Sequence, residues 1–248
     1  MKDIIEIYNN YREVGIKNRT ITEGQEMELV REYIKYRKDS FQGSPDRKMV
    51  IFLETKVDSS YPDIVFVEYN PNNYENWNRA RGLLEKRDLK ILYHLYSMGG
   101  GELSDLVTQL GVTWKDAGLA VERLHDSQLI TRNCGKWTLI DYRQISTRTI
   151  QAVEAKINKL DEVLQQGIIN RNFASESYAL SILKSKPKKE TLAKFKKFGV
   201  GLCVKNGDAF EVVKTAKQSH IPVSFNSILF NEWIGRILNL GGEVANAV

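Results

Sequence analysis

The stretch TIQAVEAKI, Thr149–Ile157, decides how the rest of the chain is read. Its β-branched and apolar residues mark a strand; a helical pattern, NKLDEVLQQGIINRNF, follows directly, and then a second strand, SYALSIL. Side chains alternate along a strand, so Ala152, Glu154 and Lys156 are expected on one face, an acid and a base aimed at the same place. E-x-K is a cheap string in a chain with 36 Lys and Arg against 31 Asp and Glu, and Glu54-Thr55-Lys56 is a second copy. Its meaning therefore depends on its neighbours.

Upstream, ITEGQEMELVREYIKYRK carries a helix start, with Thr22 as N-cap and Gln25 completing a capping box, and Met27, Val30 and Ile34 recur at helical spacing. Glu23 falls one turn before Met27 at the edge of that stripe, with Glu26 as a competing acid. Gly43 and Pro45 break the helix. Two extended runs follow, KMVIFLETKV and PDIVFVEYN, joined by DSSY and read as a hairpin. Downstream of SYALSIL come a lysine-rich loop and helix, the strands FGVGLCV and AFEVVKTA, the helix FNSILFNEWIGRIL and a frayed tail.

Residues 75–144 have a different character. RDLKILYHLYSM is an amphipathic helix stopped by three glycines, ELSDLVTQLGV a short helix ending in a glycine turn, TWKDAGLAVERLHDSQ a third helix, and LITRNCGKWTLID a hairpin with its tip at Asn133–Lys136. This order resembles a winged helix-turn-helix. The resemblance implies DNA contact through Thr113, Trp114 and Lys115 at the start of the third helix and Arg132, Asn133 and Lys136 on the wing. Winged helices also serve as protein-interaction modules, and Lys115 and Arg123 are balanced by Asp116 and Glu122. Trp114 and Trp137 are expected to pack against the unit's own core.

With this unit set aside, the remaining order is helix, strand, strand, strand, helix, strand. It resembles the α-β-β-β-α-β core of the PD-(D/E)XK, or restriction-endonuclease-like, nucleases, with Pro62-Asp63 and Glu154-Ala155-Lys156 as the two motif elements. The expected fold class is thus α/β, a restriction-endonuclease-like mixed sheet flanked by helices. The core is discontinuous, residues 1–74 plus 145–248, and interrupted by a winged helix that could be excised over 76–144 to leave a folded remainder. The resemblance implies Mg²⁺ or Mn²⁺ held by Asp63, Glu154 and the carbonyl of Ala155. It also implies that Lys156 positions or activates the attacking water, that Glu23 adds a further acid, and that Gln166 faces the same region. Asp63 and Glu154 are 91 residues apart, so the pairing stands only if the insertion is real. A local rival is Pro45-Asp46 with Glu54-Thr55-Lys56; another is that the two carboxylates are unrelated.

Composition narrows the classes. The two cysteines, Cys134 and Cys203, and the three histidines are scattered, which gives no disulfide framework, zinc site or Ser-His-Asp arrangement. MKDIIEIYNNYREVG has neither a signal-peptide nor a membrane-span pattern, so a cytoplasmic protein without membrane contact is expected. Net charge is +5, and Lys184, Lys186, Lys188, Lys189, Lys194, Lys196 and Lys197 form one basic run suited to a polyanion backbone or to an ordinary solvated face. With these features, the resemblance implies a Mg-dependent endonuclease acting on double-stranded DNA, of restriction or defence type and a homodimer. The alternatives are an RNA nuclease, or a non-catalytic DNA-binding regulator or nucleoprotein component on the same scaffold.

Overall fold

The computed structural model describes residues 2–183, 185 and 187–240. Lys184 and Lys186 of the basic run, and residues 241–248 of the tail, lie outside them.

The order of elements is β1 (Ile4–Ile7), α1 (Gln25–Ser40), β2 (Lys48–Leu53), β3 (Ile64–Tyr69), α2 (Arg79–Gly82), α3 (Lys86–Met98), α4 (Leu103–Leu110), α5 (Trp114–Asp126), β4 (Ile130–Asn133), β5 (Lys136–Leu139), β6 (Thr147–Ala155), α6 (Leu160–Asn170), β7 (Glu176–Ile182), α7 (Lys189–Phe198), β8 (Gly201–Asn206), β9 (Ala209–Lys214) and α8 (Phe225–Asn239). A seven-stranded mixed sheet runs β1-β2-β3-β6-β7-β8-β9, with β4 and β5 forming a separate hairpin. The chain is therefore α/β with a mixed sheet flanked by helices. β3 runs antiparallel to both of its neighbours, β2 and β6, whereas β6, β7 and β8 are parallel. The 77 residues between Tyr69 and Thr147 thus leave the sheet and return to the adjacent position.

Strand alternation divides the core into two layers. Met49, Ile51, Phe66 and Val153 face α1, whose Met27, Val30, Tyr33 and Ile34 come one turn apart. Val50, Phe52, Val65 and Val67 face Phe230 and Trp233 of α8. Beyond them α6 and α7 cover β7 and β8 through Val163, Phe195 and Leu202. Among the described residues no helix is long and apolar enough to cross a membrane.

Two features of the structure differ from the sequence reading. The cap of α1 is Gly24 at a positive φ of 154° without a side-chain bond, not Thr22, so Glu23 lies before the helix instead of on its buried edge. β1 was not anticipated; its Ile4-Ile5-Glu6-Ile7 adds a parallel edge to β2, with α1 as the crossover. The segment between β3 and β6 also packs against the rest of the chain. Its cluster of Leu89, Leu92, Leu106, Leu124 and Ile130 takes in Ile228 of α8, so excision would strip one face of a core helix.

Candidate functional site

The end of β6 lies against the start of β3, because Ile64 pairs with Val153. One step further along that antiparallel register, Asp63 stands opposite Glu154, and the Ala155 N–H donates to Asp63 Oδ2 at 2.7 Å. On the other side Leu53 pairs with Ile64, and the Glu54 N–H donates to the Asp63 carbonyl at 3.1 Å. Glu54, Asp63 and Glu154 therefore form a row across three neighbouring strands. Like charges directly opposite destabilise a sheet, and these are withdrawn from water: Glu54 and Glu154 are each 4% exposed. Glu54 also holds φ at 51°, a left-handed conformation that costs a non-glycine residue about 1–3 kcal/mol.

The electrostatics follow from this placement. Burial, then the charge of Asp63, pushes the Glu154 carboxyl up to about 8 against a bond from the Asn170 amide at 2.7 Å. The same two causes push Glu54 up to about 7, although Arg19 bonds it at 2.6 Å. Asp63 is raised by burial, offset in part by the Ala155 N–H. Folding thus makes these groups bind protons more tightly than in the unfolded chain. Their contribution is full below the ordinary carboxylate range and disappears as pH rises through about 7 to 8. In chelator, melting temperature should fall between pH 5.5 and 8.5, and Glu154→Gln should flatten that fall; a flat wild-type profile would contradict the row.

Two cations flank it. Arg19 reaches Asp63 at 3.8 Å as well as Glu54, and Lys156 Nζ is bonded to Glu26 of α1 at 2.6 Å. Lys156 lies just past the end of β6, so strand alternation no longer holds it on the face of Glu154 and it turns toward α1. Burial works against its charge, but the bond to Glu26 and the field of Asp63 outweigh that and keep the ammonium above its ordinary value. A cleft of about 400 Å³ opens here, with Arg19, Glu26, Glu54, Asp63 and Lys156 in its walls.

Of the residues expected at the site, Asp63, Glu154, Ala155 and Lys156 come together. Glu23 lines the outer cleft but is locked to Arg31 through two bonds of 2.5 and 2.7 Å, and Glu26 takes the inner place. Gln166 is exposed on α6. The sheet-facing side of that helix is Val163, Leu164, Gly167 and Asn170, and Asn170 is the amide that meets Glu154. The rival string is separated, because Asp46 precedes β2, bonded to Ser44 and Arg148, while Glu54 follows that strand at its far end. Glu54 nonetheless belongs to the cleft. Among the described residues no three His, Cys, Asp or Glu side chains already stand as a metal-holding group. Asp63 Oδ2 is turned onto Ala155 and Glu154 Oε1 onto Asn170.

Outside the cleft, α4 ends at left-handed Gly111, and Thr113 caps α5 by accepting from the Asp116 N–H at 3.1 Å. Trp114 is 60% exposed, contrary to the expected packing, whereas Trp137 is half-buried in the unit's core under the Arg132 guanidinium. Lys115, Arg132, Asn133 and Lys136 are exposed. Arg123 is committed to the fully buried Asp88. The basic run is divided. Lys188 and Lys189 begin α7 at the sheet edge where β6 and β7 end, and Lys196 and Lys197 lie at its other end, roughly 15 Å of helix away.

No family model, curated protein or solved structure matches the chain.

Proposed function

We propose that this protein is a metal-dependent nuclease of the PD-(D/E)XK kind that hydrolyses phosphodiester bonds in DNA. The observation that carries the reading is the register that sets Asp63 opposite Glu154, with Lys156 beside them, once 77 intervening residues are looped out. The donor chemistry fits a hard divalent cation such as Mg²⁺ or Mn²⁺: the buried carboxyls of Glu54, Asp63 and Glu154 crowd together and hold protons more tightly than usual, and a divalent cation would take the place of those protons. Within a strand residue N–H and C=O point the same way, so the Ala155 carbonyl lies on the Asp63 side. Asp63, Glu154 and that carbonyl would hold the ion. When bound it supplies charge neutralisation at phosphate and a more acidic water.

The chain's own groups complete the chemistry. Lys156, fixed as a cation by Glu26, orients the attacking water and neutralises charge on the phosphoryl oxygens. Asn170 holds the Glu154 carboxylate in place. The new P–O bond forms from water, which gives up a proton to solvent, the bond to the leaving sugar oxygen breaks, and that oxygen takes up a proton from solvent.

The unit between β3 and β6 is read as a winged helix. Support comes from the α3-α4-α5 order, the β4–β5 hairpin, and the pairing of Gly101 with Trp137 as a third short strand. Its exposed residues Trp114, Lys115, Arg132 and Lys136 are the proposed DNA contacts, together with Lys188 and Lys189 at the start of α7. One such centre cuts one strand, so double-strand cleavage calls for a homodimer.

The test is purified protein with plasmid DNA in Mg²⁺, Mn²⁺ or chelator, alongside Mn²⁺ binding measured by calorimetry. Metal-dependent cleavage is expected, with Mn²⁺ binding lost in Asp63→Asn. Failure to bind Mn²⁺ together with intact plasmid would leave the non-catalytic, nucleoprotein reading.

A further inference from the structure

The chain segments 17–19 and 54–56 form a short antiparallel ribbon. Asn18 bridges to Thr55, the Arg19 N–H donates to the Glu54 carbonyl at 2.8 Å, and the Lys56 N–H donates to the Lys17 carbonyl at 2.7 Å. The Asn18 side chain turns inward, its amide donating to Thr55 Oγ1 at 3.0 Å and to the Leu53 carbonyl at 2.5 Å. Its neighbours in the alternation, Arg19 with Glu54 and Lys17 with Lys56, therefore share the opposite face. At the first pair opposite charges meet over the cleft. At the second, two lysines stand directly across from each other. Like charges in that position cost stability, and among the described residues neither lysine has a carboxylate partner within ion-pair distance.

This lysine pair opens into a second groove of about 470 Å³ between the ribbon, the start of α3 and α8, where Lys86 and Arg236 add to the lining. Asp58 and Glu85 also line it; Asp58 is paired with Lys86 at 2.9 Å and also feels the charge of Lys56, so the cations Lys17, Lys56, Lys86 and Arg236 outnumber the acids of the lining. Tyr61 joins the groove to the cleft: Arg19 lies 5.8 Å and Lys56 5.9 Å from its ring centroid. Aromatic faces hold cations in place, so positive charge continues from the carboxylate row across Tyr61 to the groove.

We infer that this groove is a phosphate-backbone site for the nucleic-acid strand flanking the cleaved bond, with Lys17 and Lys56 as its two anchoring contacts. The inference rests on the nuclease reading and adds the path of the substrate: from the cleft, over Tyr61, and beneath the helical unit. The occupant is a polyanion with regularly spaced phosphates because the groove offers lysine ammoniums, which bind phosphate as point charges, along a continuous track.

Binding of a fluorescent DNA duplex to the full-length protein, measured in chelator over a range of salt concentrations, tests this. Each phosphate contact contributes about 0.9 to the slope of log affinity against log salt. Lys17→Ala/Lys56→Ala should lower the slope by about 1.8, with melting temperature unchanged or raised by removal of the like-charge pair. Lys17→Arg/Lys56→Arg should keep the wild-type slope. An unchanged slope in the double alanine variant, with wild type still cleaving DNA, would overturn the groove and leave the nuclease reading intact. A wild-type protein that neither binds nor cleaves DNA would overturn both.

Discussion

Replacing Lys156 by alanine is expected to lower metal-dependent DNA cleavage by about 10²–10⁴-fold, the usual contribution of one positioned group that acts on the reacting water and phosphate, while DNA binding in chelator stays unchanged. The reason is geometric. Lys156 follows directly on Ala155, whose N–H fixes Asp63, so its backbone is placed by the same register that builds the carboxylate row. Its ammonium is drawn toward α1 by Glu26 and is only part-buried, within reach of the cleft that the row lines. Because Glu26 and Asp63 keep it charged, its part is to stabilise negative charge and orient water; a proton abstraction would require the neutral amine. Two companions separate these roles. Glu26→Gln removes the charge that holds Lys156 but not the ammonium, so a smaller loss is expected, with a shifted pH profile. Lys156→Arg keeps the charge but replaces a compact ammonium with a planar fork, and should recover binding more than rate. Undiminished cleavage in Lys156→Ala would remove this residue from the chemistry.

Much of this was legible in sequence because the strands are apolar runs bounded by breakers and the helices carry a 3.6-residue stripe. β2, β3, β6, β7 and α6 fall where the patterns put them, and setting aside residues 75–144 brings Asp63 to Glu154. What escaped depends on register or on loops, which periodicity does not report. Glu54 was weighed only as half of a rival motif, since its place in the row comes from a pairing across β2 and β3 and from a left-handed backbone that no local pattern signals. Arg19 sits in a segment with no period at all. Gln166 was preferred on resemblance, although the spacing of Val163, Leu164 and Gly167 already put Asn170 on the sheet side of α6. The attachment of the helical unit is hidden for the same reason: the sequence marks α8 only as a closing helix, and only the tertiary structure shows that its two sides serve different partners.

That attachment should be the most fragile point of the fold. Arg81 and Glu232 meet through bonds of 3.0 and 2.8 Å with side chains 6% and 0% exposed. Arg81 lies over the Trp77 ring at 4.4 Å, and that ring occupies the space where a Cβ on Gly235 would stand. Glu232 is also bonded by Asn231, whose Oδ1 accepts from the Tyr74 hydroxyl at 2.8 Å and the Ser146 N–H at 2.7 Å. Both ends of the looped-out segment, at Tyr74–Arg81 and at Gln144–Ser146, are thus tied to two consecutive residues of α8. Glu232→Ala would leave a guanidinium buried without its counter-charge, at a cost of about 3–5 kcal/mol. That is a large part of the 5–15 kcal/mol typical of a whole domain. At roughly 2–4 °C per kcal/mol for a chain of this size, melting should fall by about 6–20 °C. Arg81→Met with Glu232→Leu removes both charges at similar volume and should recover most of the loss, because well-packed apolar pairs often replace buried ion pairs at little cost. Stability recovered without cleavage would show that the pair also sets the helical unit's orientation toward the cleft. A fall of less than about 1 kcal/mol in Glu232→Ala, the scale of an exposed pair, would mean that the unit is held on α8 by its apolar contacts at Ile228 and not by this ion pair.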